Sequence, residues 1–189
     1  MFTSNVDGHF LAAGFDASRV VECHGSIHFV QAFNPRVGDT RIVDAAPVLA
    51  PLRVDPDTFL ADEDTLPHLE VAGGARVLAR PNILMFGDYG WREERTAAQE
   101  ARLEAYTRAL PRDARVVVIE IGAGLAVPTV RAQSEGILDS FPRATLLRVN
   151  PAEPDGPRGR TVPIAAPALA TLAAIDAALG GAAGIGSAR

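Results

Sequence analysis

The chain holds one cysteine, Cys23, in 189 residues, and no lysine: all 18 basic residues are arginine. A lone thiol excludes an intrachain disulfide framework and any zinc site built on three or four cysteines. Without lysine the chain cannot be its own substrate in lysine-directed chemistry. No basic stretch followed by an apolar one opens the sequence, so no signal peptide is expected. No run reaches the roughly 18 apolar residues of a membrane-spanning helix. An excess of positive charge is also lacking. The net charge of −5 argues against nucleic-acid binding. These absences point to a cytoplasmic protein with neither membrane nor nucleic acid among its partners. What is present is 48% hydrophobic content, enough for a buried core in one domain, or in one domain with a small inserted module.

The most informative residues come at once. Thr3-Ser4-Asn5-Val6-Asp7-Gly8-His9 places an Asn, an Asp and a His among small residues, and Glu22-Cys23-His24-Gly25 follows. Polar groups at turns after short apolar runs are where α/β proteins keep their chemistry. Asn5 and Asp7 can position a water or a ligand amide, or can form an Asx turn before the apolar stretch at 10–13. His24 can serve as a general base near neutral pH, or can be structural. Adjacent side chains point apart, so Cys23 reads as packing. His9 and His28 have no metal-ligand spacing to either, and no metal ligands are assigned.

The rest of the chain reads as alternating strands and helices. A short strand is expected over 26–30. From 32 to 78 the prolines at 35, 47, 51, 56 and 67 break any helical period, and eight acidic residues stand against four arginines. This segment reads as a small irregular inserted module; a long solvated loop is the alternative. Residues 80–88 read as a strand leading into a loop. A helix is expected over 91–110 with Ala97, Leu103, Tyr106 and Leu110 near one face, stopped by Pro111. The β-branched run at 115–121 reads as a strand buried on both faces, as in a parallel sheet. It ends at Gly122-Ala123-Gly124 before a helix over 129–138. A second strand over 144–150 ends at Asn150, a final helix spans 167–179, and a flexible tail occupies 181–189. That order is that of a doubly wound α/β sheet, whose ligands bind past the C-terminal strand ends where Gly122 and Asn150 lie. The Gly-Ala-Gly turn suits a phosphate or ribose, or is only a tight strand-to-helix turn. The third glycine of the dinucleotide fingerprint is absent, since Val127 stands there.

Taken in order, these segments resemble a known family. Thr3 to His9, then Ala13-Gly14, then Val21 to Ser26 are similar to the sirtuin patterns T-Q-N-I/V-D-x-L-H, A-G and V/I-x-E-x-H-G. Arg80-Pro81-Asn82-Ile83-Leu84-Met85-Phe86-Gly87-Asp88 resembles R-P-x-V/I-V-x-F-G-E. Ile121 to Pro128 resembles G-T-S-x-x-V-x-P, and Val149-Asn150 matches the family's I-N. The resemblance covers roughly residues 2–180. It implies a Rossmann-like NAD-binding domain over 1–31 and 79–180, with residues 32–78 as the inserted module. It implies an NAD-dependent protein-lysine deacylase that transfers the acyl group to ADP-ribose and releases nicotinamide. His24 would be the catalytic base, with Asn5 and Asp7 assisting. Ser4, Asn5, Asp7, Gly122, Ala123, Gly124 and Asn150 would contact NAD. Met85 and Phe86 would line the acyl-lysine channel, and the Gly87 backbone would pair with the substrate peptide as an added strand.

The sequence also departs from that pattern. The family's G-A-G-x-S-x-x-S-G-I-P-D-F-R segment, which supplies a first strand and the phosphate loop, has no counterpart ahead of Phe2-Thr3. The expectation is therefore a partial Rossmann-like parallel sheet, with strand edges and apolar faces exposed. The two C-x-x-C pairs of the family's zinc module are absent from 32–78, so no zinc is expected. Ser4 replaces Gln, Ala123-Gly124 replaces Thr-Ser, and Asp88 replaces Glu. Two readings follow: a sirtuin-type deacylase acting on an acyl-lysine protein or peptide, or a catalytically inactive sirtuin-like fragment or binding module. Complementation by another chain that supplies the missing strand is a third.

Overall fold

The computed structural model describes residues 1–34, 41–71 and 73–180. The expected tail at 181–189 lies outside the described residues. The chain divides into two units, Met1–Arg108 and Ala109–Arg189.

The first unit opens with β1 (Phe2–Thr3), the short helix α1 (His9–Ala12) and β2 (Val21–Glu22). β1 and β2 pair in parallel, Phe2 with Val21 and Thr3 with Glu22. Then come β3 (Gly25–Ala32), β4 (Val43–Asp44), α2 (Ala45–Leu49), β5 (His68–Glu70) and β6 (Arg76–Ile83). These strands form an antiparallel sheet in the order β4-β3-β6-β5. Its register jumps between Ser26 and Val30, opposite Asn82 and Pro81. A proline has no N–H for a ladder, and a bulge is where a sheet accommodates one. A small apolar core of Val30, Ala45, Leu69 and Ala79 lies under this sheet.

The stretch read as irregular thus carries β4, α2 and β5. Its prolines are compatible with structure. Pro47 sits in the first turn of α2, where a backbone N–H has no intrahelical acceptor to lose. Two of its acidic residues work locally: Asp55 accepts from the Asp57 and Thr58 N–H groups, and Asp62 pairs with Arg53 at 2.9 Å.

Helix α3 (Glu94–Ala109) starts three residues later than expected from Trp91. The delay has a cause. The Arg92 N–H donates to Gln31 Oε1 at 3.0 Å and its carbonyl accepts from Asn82 Nδ2 at 2.9 Å, which ties the chain to β3 and β6. The buried side chains of α3 are Thr96 and Gln99, and Tyr106 of the expected apolar face is 65% exposed. Hydrogen bonds, not an apolar stripe, seat this helix.

The second unit contains β7 (Val117–Ile121), α4 (Thr129–Ser140), β8 (Thr145–Val149), β9 (Thr161–Ile164) and α5 (Ala168–Ala178). Among the described residues its sheet is parallel, in the order β7-β8-β9. Leu138 and Phe141 pack with Ala144 and Leu146 on one face. β9 carries Pro163 and follows a Pro/Gly-rich loop, which hid it in the sequence. As an edge strand it tolerates the missing donor.

The expected two-sided burial of the 115–121 strand is not what forms. Val117, Ile119 and Ile121 are 62%, 49% and 42% exposed, whereas Glu120 is buried. β7 is an edge strand, and the buried cluster lies on the face that carries Val118. Glu120 is held there by Arg148, whose Nε donates to Oε1 at 2.5 Å and Nη2 to Oε2 at 3.0 Å. Arg148 also reaches Glu135 at 2.9 Å and the Asp155 carbonyl at 2.7 Å. Burial opposes the guanidinium's charge, but the bonds to Glu120 and Glu135 prevail and hold its pKa above the ordinary arginine value. Among the described residues no helix is long and apolar enough to cross a membrane.

Candidate functional site

In the first unit, the site begins at the end of the parallel pair. The Cys23 N–H donates to the Thr3 carbonyl at 3.0 Å, and the Asn5 N–H donates to Thr3 Oγ1 at 3.1 Å. Ser4-Asn5 and Cys23-His24 therefore leave the two strands at the same end. Asn5 is exposed and His24 half-buried. The loop that follows Asn5 is stitched to β3: the Ile27 N–H donates to the Val6 carbonyl at 2.9 Å, and His28 Nε2 lies 3.0 Å from the Asp7 carbonyl. Asp7 Oδ1 accepts the His9 N–H at 2.9 Å, so this carboxylate forms the Asx turn before α1, and its Oδ2 lies 3.4 Å from His9 Nδ1.

The backbone around His24 is fixed on both sides. Its carbonyl accepts the Leu84 N–H at 3.0 Å. Gly25 has φ 82°, and a Cβ there would lie 2.0 Å from the Asn82 carbonyl oxygen. Only glycine permits that approach. Upstream, Glu22 is buried and gripped by α3: Gln99 Oε1 accepts its N–H at 3.1 Å, Thr96 Oγ1 donates to its carbonyl at 3.1 Å, and Arg95 pairs with its carboxylate. Cys23 is buried, and burial, with Glu100 nearby, pushes its thiol up to about 11. That excludes a thiolate nucleophile near neutral pH.

The contact between Leu84 and His24 brings the third motif to the same place. The residues after β6 present Met85 at 59%, Phe86 at 93% and Tyr89 at 101% exposure. Gly87 has φ 68°. This loop is anchored at its far end by Asp88, which pairs with Arg80 at 2.5 Å and accepts the Gly90 N–H at 2.9 Å. Burial raises the Asp88 carboxyl, but these bonds outweigh it and leave the pKa below the ordinary carboxylate value.

In the second unit, Gly122, Ala123 and Gly124 leave β7 beside Asn150 at the end of β8. The Gly122 N–H donates to the Val149 carbonyl at 3.0 Å, and Asn150 Nδ2 to the Ala123 carbonyl at 3.1 Å. Asn150 Oδ1 accepts the Ala152 and Glu153 N–H groups at 2.9 and 3.0 Å. Gly122 has φ 69° and open space where a side chain would stand. Glu153, which the motifs did not flag, accepts the Leu125 N–H at 2.9 Å, and Arg131 braces the turn through the Ala123 carbonyl at 3.0 Å. Arg95, Thr96 and Gln99 were likewise unflagged. Their spacing on one helix face was visible, but their partner at Glu22 was not. Among the described residues no three His, Cys, Asp or Glu side chains cluster as metal ligands.

No protein-family model matches the chain, and no curated protein matches it. Solved structures do. A sirtuin structure on substrate affinity aligns over 96% of this chain at 17% identity with a TM-score of 0.58. A Sir2 structure with a p53 peptide and NAD+ aligns over 95% at 16% identity and 0.58, and Sir2Tm bound to a propionylated peptide over 96% at 16% and 0.59. This chain spans 64%, 62% and 64% of those three chains, less than two thirds of each. At this identity the likeness establishes architecture: the chain has a sirtuin-like, Rossmann-type α/β fold.

Proposed function

We propose that this chain carries the catalytic residues of a sirtuin-type, NAD-dependent protein-lysine deacylase. The observation that carries the reading is the parallel register of Thr3 with Glu22, which sends Asn5 and His24 off the same end of two paired strands. The sirtuin-like fold and the tie between His24 and the loop at Leu84 support it.

NAD, when bound, supplies an electrophilic sugar carbon, a nicotinamide leaving group and the ribose hydroxyl that ends up with the acyl group. The chain's own residues would hold and orient it. Asn5, with a donor and an acceptor on one exposed amide, suits a ribose hydroxyl or an ordered water, and Ser4 adds a hydroxyl beside it. Asp7 offers its remaining lone pairs to a carboxamide N–H such as that of nicotinamide. A ring nitrogen of His24 would take the proton from the ribose hydroxyl.

The turn Gly122-Ala123-Gly124 suits a ribose better than a phosphate. Glu153 already places a carboxylate on the Leu125 N–H, which repels an anion and welcomes hydroxyl donors. Asn150 then holds the turn through its Ala123 contact. Met85 and Phe86 offer exposed apolar surface for an acyl-lysine chain, and the Gly87 backbone an edge for the peptide on either side.

The test is nicotinamide release from NAD in the presence of an acetyl-lysine peptide. Release that depends on the peptide is the expected result. No release by protein shown to be folded by circular dichroism would sink the enzymatic reading and leave an inactive sirtuin-like binding module.

A further inference from the structure

We propose that Arg95, Thr96 and Gln99 of α3 form a clamp whose function is to position His24. The proposal rests on the deacylase reading of His24 and adds to it the element that sets the base in place.

Glu22 lies two residues before His24 at the end of β2, and every polar group it owns is taken by α3. Its N–H goes to Gln99 Oε1 and its carbonyl to Thr96 Oγ1, each at 3.1 Å, and its carboxylate to Arg95. Gln99 lies three residues beyond Thr96 and four beyond Arg95, the spacings that make neighbours on a helix surface. Arg95 is itself seated, with its guanidinium carbon 4.1 Å from the centre of the Phe29 ring. The side chains of Glu22 and Arg95 are 3% and 16% exposed, so solvent screens the pair weakly. β2 is only two residues long, and its partner β1 is equally short. Such a ladder cannot by itself fix the residues that leave it. Downstream of His24, Gly25 is pressed against the Asn82 carbonyl. The clamp closes the upstream side, so the imidazole stands on a backbone held at both ends.

A role in folding alone would also explain two hydrogen bonds and an ion pair. The two roles part in the kinetics. A general base must be placed to within a fraction of an ångström, and a misplacement of about 1 Å costs on the order of a hundredfold in turnover. A loss of stability lowers the amount of active protein and leaves the turnover of each folded molecule alone.

The experiment compares Arg95→Met, Arg95→Lys and the double variant Glu22→Gln/Arg95→Met. One readout is kcat for nicotinamide release, with KM for NAD and for an acetyl-lysine peptide, corrected for the folded fraction. The other is the ring signal of His24 in isotope-labelled protein, assigned by its loss in His24→Gln. Arg95→Met is expected to lower kcat by about ten- to a hundredfold with both KM values within roughly twofold, and to shift or broaden the His24 signal. The double variant, freed of an unpaired buried charge, is expected to regain thermal stability but not kcat. Arg95→Lys keeps a cation at Glu22 and is expected to recover part of the rate. Recovery of kcat together with stability in the double variant, or a His24 signal unchanged in both Met variants, would overturn the clamp. If the wild-type protein releases no nicotinamide, the deacylase reading falls, and the His24 signal alone decides whether α3 positions this side chain.

Discussion

Thr3 and Glu22 face each other in register across the parallel pair of β1 and β2. Asn5 lies two residues beyond the first and His24 two residues beyond the second. The equal offset means that one parallel pairing delivers an amide and an imidazole from the same strand ends. A slip of one residue would turn one of the two side chains to the other face. The short β1–β2 ladder therefore does more for the site than its length suggests.

The first prediction concerns the base. His24→Ala is expected to lower turnover by roughly 10²–10⁴-fold, the usual contribution of a positioned general base. His24 is half-buried and its backbone bonds do not depend on the ring, so the melting temperature should change little. Retained turnover in a folded variant would refute the assignment.

Gly25 carries the second. Alanine there meets a left-handed φ of 82° and the Asn82 carbonyl oxygen 2.0 Å from its Cβ. The conformational cost of about 1–2 kcal/mol adds to a steric cost of about 1–3 kcal/mol. Urea unfolding of Gly25→Ala should show a loss of several kcal/mol, and a loss under about 1 kcal/mol would contradict the close approach.

The buried ion pair of the second unit gives a third. Arg148→Met alone leaves the Glu120 carboxylate buried without its partner and should cost about 3–5 kcal/mol, whereas Glu120→Gln should cost less because Arg148 keeps Glu135 at 2.9 Å. The double variant Glu120→Leu/Arg148→Met removes both charges and should recover much of that loss. A double-mutant cycle by urea unfolding measures the coupling. Single variants that behave like wild type would show that the pair is hydrated.

Asp88 supplies a pH dependence. Its pKa is held below the ordinary carboxylate value: burial acts against the charge, and Arg80 with the Gly90 N–H outweighs it. A carboxyl depressed in the folded state adds stability that is present above its unfolded pKa and is lost as pH falls through the folded one. The stability gap between wild type and Asp88→Asn should therefore be constant above about pH 4 and shrink steadily below it. Urea midpoints taken from pH 2 to 7 measure it, and a gap that widens as pH falls would reverse the sign.

Several elements were legible before any coordinates. Helix α4, strand β8 and helix α5 lie within one to two residues of their expected bounds, because each is a run of local preference closed by Pro, Gly or Asn. The sirtuin-like architecture was legible too, from motif order alone. Other expectations failed where a distant partner intervened. The β-branched run at 115–121 reads as doubly buried, yet its buried member is Glu120, whose partner Arg148 is 28 residues away. The start of α3 and its polar seat depend on Gln31 and Glu22, which are 61 and 77 residues from Arg92 and Gln99. β9 was missed because Pro163 argues against a strand until its place at a sheet edge is known.

The amino-acid sequence by itself determined the order of strands and helices, the turns that follow them and the identity of the polar groups at those turns. Hydrophobic period, proline and glycine act over a few residues, and that range is enough for such features. Tertiary structure alone decided which turns share an end of a sheet, which carboxylates are buried, and what grips the residues before His24. Those outcomes hang on hydrogen bonds and ion pairs across dozens of residues. Such contacts exist only once the chain has brought Glu22 to Arg95 and Glu120 to Arg148.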